Sequence, residues 1–131
     1  MKEHDIARLC HEEHRAVNEL HGRQHYPVWE NAPEHMKITR LIGVIMCLSN
    51  PRMTARDRHR LWLITKMAQG WRLGDIDIER KTHSSLVPWS RLSDFDKAKN
   101  QLHINNVRRY SACLPRHFFF QFGASNFGAE A

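Results

Sequence analysis

The sequence predicts a mainly α protein: four helices, with one short antiparallel β element between the third and the fourth. Two observations carry this. Apolar residues recur at helical spacing in four stretches that begin at Asp, Asn, Thr or Ser and end near Gly or Pro. Between Arg72 and Leu86 that spacing stops, and β-branched residues around Gly74 read as a short extended hairpin. At 131 residues the chain has the length of one domain. The expected division is a domain over 1–114 and a Phe-rich arm over 115–131.

The first helix is expected from Asp5 to Leu20, with Ile6, Leu9, Cys10, Val17 and Leu20 on one stripe and Gly22 as the stop. The second should start at Asn31. Glu34, three residues on, completes a capping-box pattern, Met36, Leu41, Val44, Ile45 and Leu48 face inward, and Asn50-Pro51 ends it. The third starts at Thr54 with Asp57 in the box position, carries Trp62, Leu63 and Met67, and stops at Gly70. The fourth starts at Ser93 with Asp96 in the same place. Its buried stripe begins with Phe95, Ala98 and Leu102, weakens at Asn105 and Asn106, and ends by Leu114-Pro115. After it, His117-Phe118-Phe119-Phe120-Gln121-Phe122 reads as a partner-binding arm, an arm folded onto its own domain or a disordered end. No internal repeat is evident in the letters.

A net charge of +6 and a pI near 9.7 favour anionic partners: nucleotides, nucleic acid or acidic protein. The longest apolar run, Leu41 to Leu48, is far too short to span a bilayer, and the polar start is unlike a signal peptide. Cys10, Cys47 and Cys113 are odd in number and widely spaced, which suits free thiols in a reducing cytoplasm.

Chemistry concentrates between His59 and Trp89. Trp62 lies one turn after His59 and one turn before Lys66, so a ring, an imidazole and an ammonium share one helix face. That suits a flat anionic ligand, stacked on the ring and held by charge; a core tryptophan with solvated neighbours is the plain alternative. Trp71, just after Gly70, is either a second ring of the site or a core plug. Arg80, Lys81 and His83 are placed to clamp phosphate, or form a solvated basic loop. Trp29, before the second helix, reads as a hydrophobic staple. Cys10-His11-Glu12-Glu13-His14 spaces its histidines at i and i+3, so the i and i+4 zinc-protease pattern is missing and no metal site is expected. No catalytic residues, no enzyme activity and no cofactor are expected: neither a Gly-x-Ser-x-Gly nor a Walker pattern occurs.

Five motifs in order carry a resemblance: Cys10-His11-Glu12 with Arg15; Trp29-Glu30-Asn31-Ala32-Pro33-Glu34; His59 with Trp62; Gly70-Trp71; and Lys81-Thr82-His83-Ser84-Ser85-Leu86-Val87-Pro88-Trp89. Over about Ile6 to Val107 the chain resembles the Ry repeat, the small domain named for the ryanodine receptor and found singly in bacterial and phage proteins. It departs from that pattern at Ser84 in place of proline, at Trp89 in place of tyrosine, at Lys99-Asn100 in place of Lys-Asp, and in a loop about one residue shorter.

The resemblance implies a mostly helical domain with a small β element. It also implies an adenine nucleotide held between tryptophans of paired repeats. Trp62 stands at the matching position, with Lys66 where the family often has arginine. The expected function is therefore a non-catalytic cytoplasmic module that senses or sequesters an adenine-containing nucleotide or a nucleotide-derived signal. Its ligand residues would be Trp62, Lys66, His59, Trp71, Arg80, Lys81 and His83, and the chain would pair with itself. The alternatives are a protein-interaction or structural module using the Phe-rich arm, and a basic nucleic-acid binder. The last ranks lower because the bases are spread over every segment.

Overall fold

In the structure, a computed structural model, residues 1–114 are described; the Phe-rich arm at 115–131 lies outside them. The elements run α1 (Glu3–Leu20), a 3-10 turn (Trp29–Asn31), α2 (Glu34–Ser49), α3 (Ala55–Ala68), β1 (Arg72–Leu73), β2 (Thr82–His83), a second 3-10 turn (Trp89–Arg91) and α4 (Asp94–Ser111). Four helices and a two-stranded sheet make the fold mainly helical, as the periodicity predicts. Two compact units divide it: Met1–Arg52 with the chain from Asn105 on, and Met53–Ile104.

In the first unit α1 packs on α2 and on the Trp29–Asn31 turn. Its buried face is Ile6, Ala7, Cys10, His11, His14 and Asn18, whereas Leu20, expected on that face, is 82% exposed. The expected start of α2 at Asn31 is corrected to Glu34. The cause is Pro33, whose ring pushes the residue before it out of the helical region. Ala32 is extended, at φ −68 and ψ 140, so a helix cannot run through it and Asn31 cannot cap one. α2 buries Thr39, Arg40, Gly43, Val44, Cys47 and Ser49.

In the second unit the Thr54 box forms as expected. Thr54 Oγ1 accepts from the Asp57 N–H and an Asp57 carboxylate oxygen accepts from the Thr54 N–H, both at 3.1 Å. Ser93 Oγ likewise accepts from the Asp96 N–H at 3.1 Å. Met67, expected on the inward side of α3, is exposed, as is Ala98 on α4; the buried face of α4 is instead Asn100, His103, Ile104, Asn106 and Val107.

The β element is corrected as well: β1 and β2 are parallel, with Arg72 opposite Thr82 and Leu73 opposite His83. The expected antiparallel pairing survives only as one bridge between Asp77 and Thr82. Thr82 is hydrogen-bonded along both edges. Its N–H and C=O pair with Asp77 on one side, while Arg72 N–H and Gly74 N–H donate to Lys81 and His83 carbonyls on the other. The chain thus reverses twice between Leu73 and Thr82, and β2 returns in the direction of β1.

Although the letters show no repeat, the backbone carries one local plan twice. Each unit opens with a helix closed by a left-handed glycine, Gly22 at φ +63 and Gly70 at φ +87. At each end the next N–H reaches back to the last turn: Arg23 to the Asn18 carbonyl at 2.7 Å, Trp71 to the Lys66 carbonyl at 3.0 Å. A histidine in the middle of the helix, His11 or His59, bonds through Nε2 to the carbonyl of Pro27 or Val87, at 2.7 Å in both. Two residues beyond that carbonyl a tryptophan opens a 3-10 turn, and the residue that follows the turn, Ala32 or Leu92, is buried and extended. The following helix sets a lysine over that tryptophan, Lys37 at 5.6 Å from the Trp29 centroid and Lys97 at 5.3 Å from that of Trp89.

Candidate functional site

The rings of the second unit meet around Trp62, which is half-buried on α3. His59, one turn earlier, stacks on it with centroids 5.8 Å apart and planes 24° apart. His83, brought in by β2, meets its edge at 5.1 Å and 78°. Trp89 also approaches His59, with centroids 6.1 Å apart and planes 54° apart.

Hydrogen bonds fix the proton positions in both imidazoles. The Val87 carbonyl can only accept, so His59 Nε2 carries a proton. The Ser85 N–H donates to His83 Nδ1 at 3.0 Å, so in the neutral His83 ring the proton sits on Nε2. Burial is the main force that holds His83 neutral, down to about 4; the Lys99 and Lys66 ammoniums push the same way and the Asp96 carboxylate opposes them. Burial also lowers His59, against the pull of its bond to Val87.

Two cations act on this ring cluster, Lys66 and Lys99. The Lys66 ammonium is buried 4.4 Å from the Trp71 centroid, in the range of a cation–π contact. Lys99 lies 3.9 Å from Asp96 and 5.5 Å from the Phe95 ring. Asp96 in turn accepts from Ser85 Oγ at 2.9 Å, tying the loop after His83 to α4.

Of the residues expected from sequence, the structure brings together His59, Trp62, Lys66, Trp71 and His83. Trp71 is 5% exposed and backs the Lys66 ammonium, as a core plug would. Arg80 and Lys81 go elsewhere. Arg80 is exposed and pairs with Asp77 at 3.7 Å, while Lys81, in the left-handed region at φ 55, donates from Nζ to the Gln69 carbonyl at 3.1 Å. Neither has a hydrogen bond, ion pair or ring contact with Trp62 or His83 among the described residues. Sequence reasoning missed Lys99, Ser85 and the second role of Asp96. The signal was the spacing of Asp96 and Lys99, which shares a helix face but does not by itself point at His83.

The arrangement offers a partly open indole, an imidazole N–H donor and two ammoniums, the elements of a stacking site for a planar group that carries negative charge. Among the described residues no three His, Cys, Asp or Glu side chains are placed to hold a metal ion, and no helix is long and apolar enough to cross a membrane. All three cysteines are free thiols.

Fold and cluster together define a small helical module that gathers aromatic rings and bases in a single unit. The family described as RyR domain matches residues 48–113, just over half of the chain, and the chain belongs to that family. The match takes in His59 to Trp89, while the motifs at Cys10–Arg15 and Trp29–Glu34 fall outside it. No curated protein and no solved structure matches the chain.

Proposed function

We propose that the chain is a non-catalytic cytoplasmic module that binds an adenine-containing nucleotide, or a signal derived from one, and so senses or sequesters it. One observation carries the reading: Trp62 keeps part of its ring open between His59 and His83, with Lys66 and Lys99 beside His83. The base stacks on Trp62, the His83 Nε2–H donates to an acceptor on the ligand, and the ammoniums hold its phosphates. Proton positions agree with this, since a neutral His83 offers a donor toward the ligand while its other nitrogen is occupied by Ser85.

The same reading has the chain pairing with itself, which light scattering over a concentration series tests directly. The ligand is tested by a thermal-shift screen of adenine, guanine and pyrimidine nucleotides, with duplex DNA alongside. Selective stabilisation by adenine nucleotides is expected. Stabilisation by DNA alone transfers the reading to a basic nucleic-acid binder.

A further inference from the structure

The first unit holds a charge that the nucleotide reading does not use. Arg40, on α2, is only 9% exposed, yet no carboxylate of the described residues pairs with it. Its one hydrogen bond runs from Nη1 to His14 Nδ1, at 3.2 Å. The titratable groups that face it are the Tyr26 hydroxyl, the Cys10 thiol and the imidazoles of His11 and His14, with no carboxylate among them.

A guanidinium cannot shed its proton, and it carries several N–H donors in a rigid fork. One bond to a neutral imidazole leaves most of that capacity unused in a place where an unbalanced charge is costly. The second unit handles the equivalent place differently: its buried arginine sits on the first helix, as Arg58, and donates to the Asn100 amide oxygen on the second at 3.1 Å. Arg40 stands where Asn100 would, so its charge enters from the opposite helix.

The neighbourhood is also suited to an anion. Lys37 lies one turn before Arg40 and on the same side of α2, with its ammonium over Trp29. Tyr26, His11 and His14 face Arg40, and His11 in turn stacks on Tyr26 at 5.9 Å and meets Trp29 at 5.5 Å.

We propose that Arg40, with Lys37 and His14, forms a second site, for a small oxyanion of the phosphate type, free or as the end group of a larger ligand. The fork of Arg40 takes two oxygens of the anion side by side, and Lys37 supplies a second charge from the rim. The site lies wholly within the first unit and is independent of Trp62.

The test is a thermal-shift titration of the intact chain with inorganic phosphate and pyrophosphate. It runs at low millimolar concentration and at an ionic strength held constant with chloride, below the range in which excluded salts stabilise proteins generally. A saturable rise in melting temperature is expected. Arg40→Met should lose that rise while melting no lower than the parent in chloride alone, because methionine fills the place without a charge. Trp62→Ala should keep it. A second measurement needs no variant: the Arg40 Nε–H resonance of labelled protein should move with phosphate and stay still with chloride. The proposal is overturned by a shift that does not saturate, by one that Arg40→Met retains, by one that Trp62→Ala abolishes, or by an Arg40 resonance indifferent to phosphate.

Discussion

The two units solve the same packing problem and then part company. In both, a histidine bridges its helix to a carbonyl, a tryptophan follows two residues later, and a lysine covers that tryptophan. One turn after the histidine, the first unit has His14 and the second has Trp62. His14 is buried and bonded to Arg40, whereas Trp62 stays half-open between two imidazoles. What the two share is scaffold; what differs is candidate site. The comparison therefore separates Trp89, which has a counterpart in Trp29 and serves packing, from Trp62, which has no such counterpart.

If the shared histidines are scaffold, their loss should cost the same in both units. His11→Ala and His59→Ala each leave a cavity and a part-buried carbonyl without its partner, for about 2–4 kcal/mol of stability by chemical denaturation. A cost confined to His59 would break the parallel.

Acid should act on the two units unequally. His83 titrates near 4 in the folded chain against an ordinary 6.5. Between those values the unfolded chain holds the extra proton, so stability rises with pH from about 4 to 6.5, is complete above 6.5 and is lost as pH falls through the window. One proton gives a slope of at most about 1.4 kcal/mol per pH unit. His11 and His59, both lowered chiefly by burial, act in the same direction in their own units. His83→Asn should flatten the slope in this window, as urea denaturation at a series of pH values would show; an unchanged slope would mean that His83 titrates normally.

Smaller effects sharpen the match. Gly22→Ala and Gly70→Ala place a side chain in open space but at positive φ, so each should cost about 1 kcal/mol by backbone strain alone. Lys37→Met and Lys97→Met remove the cation over the scaffold tryptophan, and about 0.5–1 kcal/mol each is expected from paired denaturation curves.

How much of this could be read in the letters follows the range of each interaction. The box at Thr54 with Asp57 and the Ser93 hydroxyl that caps the Asp96 N–H were legible because they close within one turn. Asn31 with Glu34 has the same spacing and fails, because Pro33 dictates the conformation of Ala32. His59, Trp62 and Lys66 were legible as one face of one helix. Lys99, Ser85 and Asp96 were not, because they meet His83 only after the β loop and α4 are in place. The parallel strands were hidden by Thr82, which pairs along both edges, a property of the folded loop and not of any residue type. The repeated plan was hidden because it keeps only His, Gly, Trp and Lys at a few positions, with a far longer loop before Trp89 than before Trp29.

The claim that Trp62 is a binding ring and not a core ring is tested most directly by isothermal titration of the parent chain and Trp62→Ala with an adenine nucleotide, each alongside its own denaturation curve. Stacking of one base contributes roughly 1–3 kcal/mol, so the variant should lose about tenfold or more in affinity. A half-open ring should cost clearly less stability than the 3–5 kcal/mol or so typical of a core tryptophan. A variant that binds as tightly as the parent, or one that unfolds, would contradict the account.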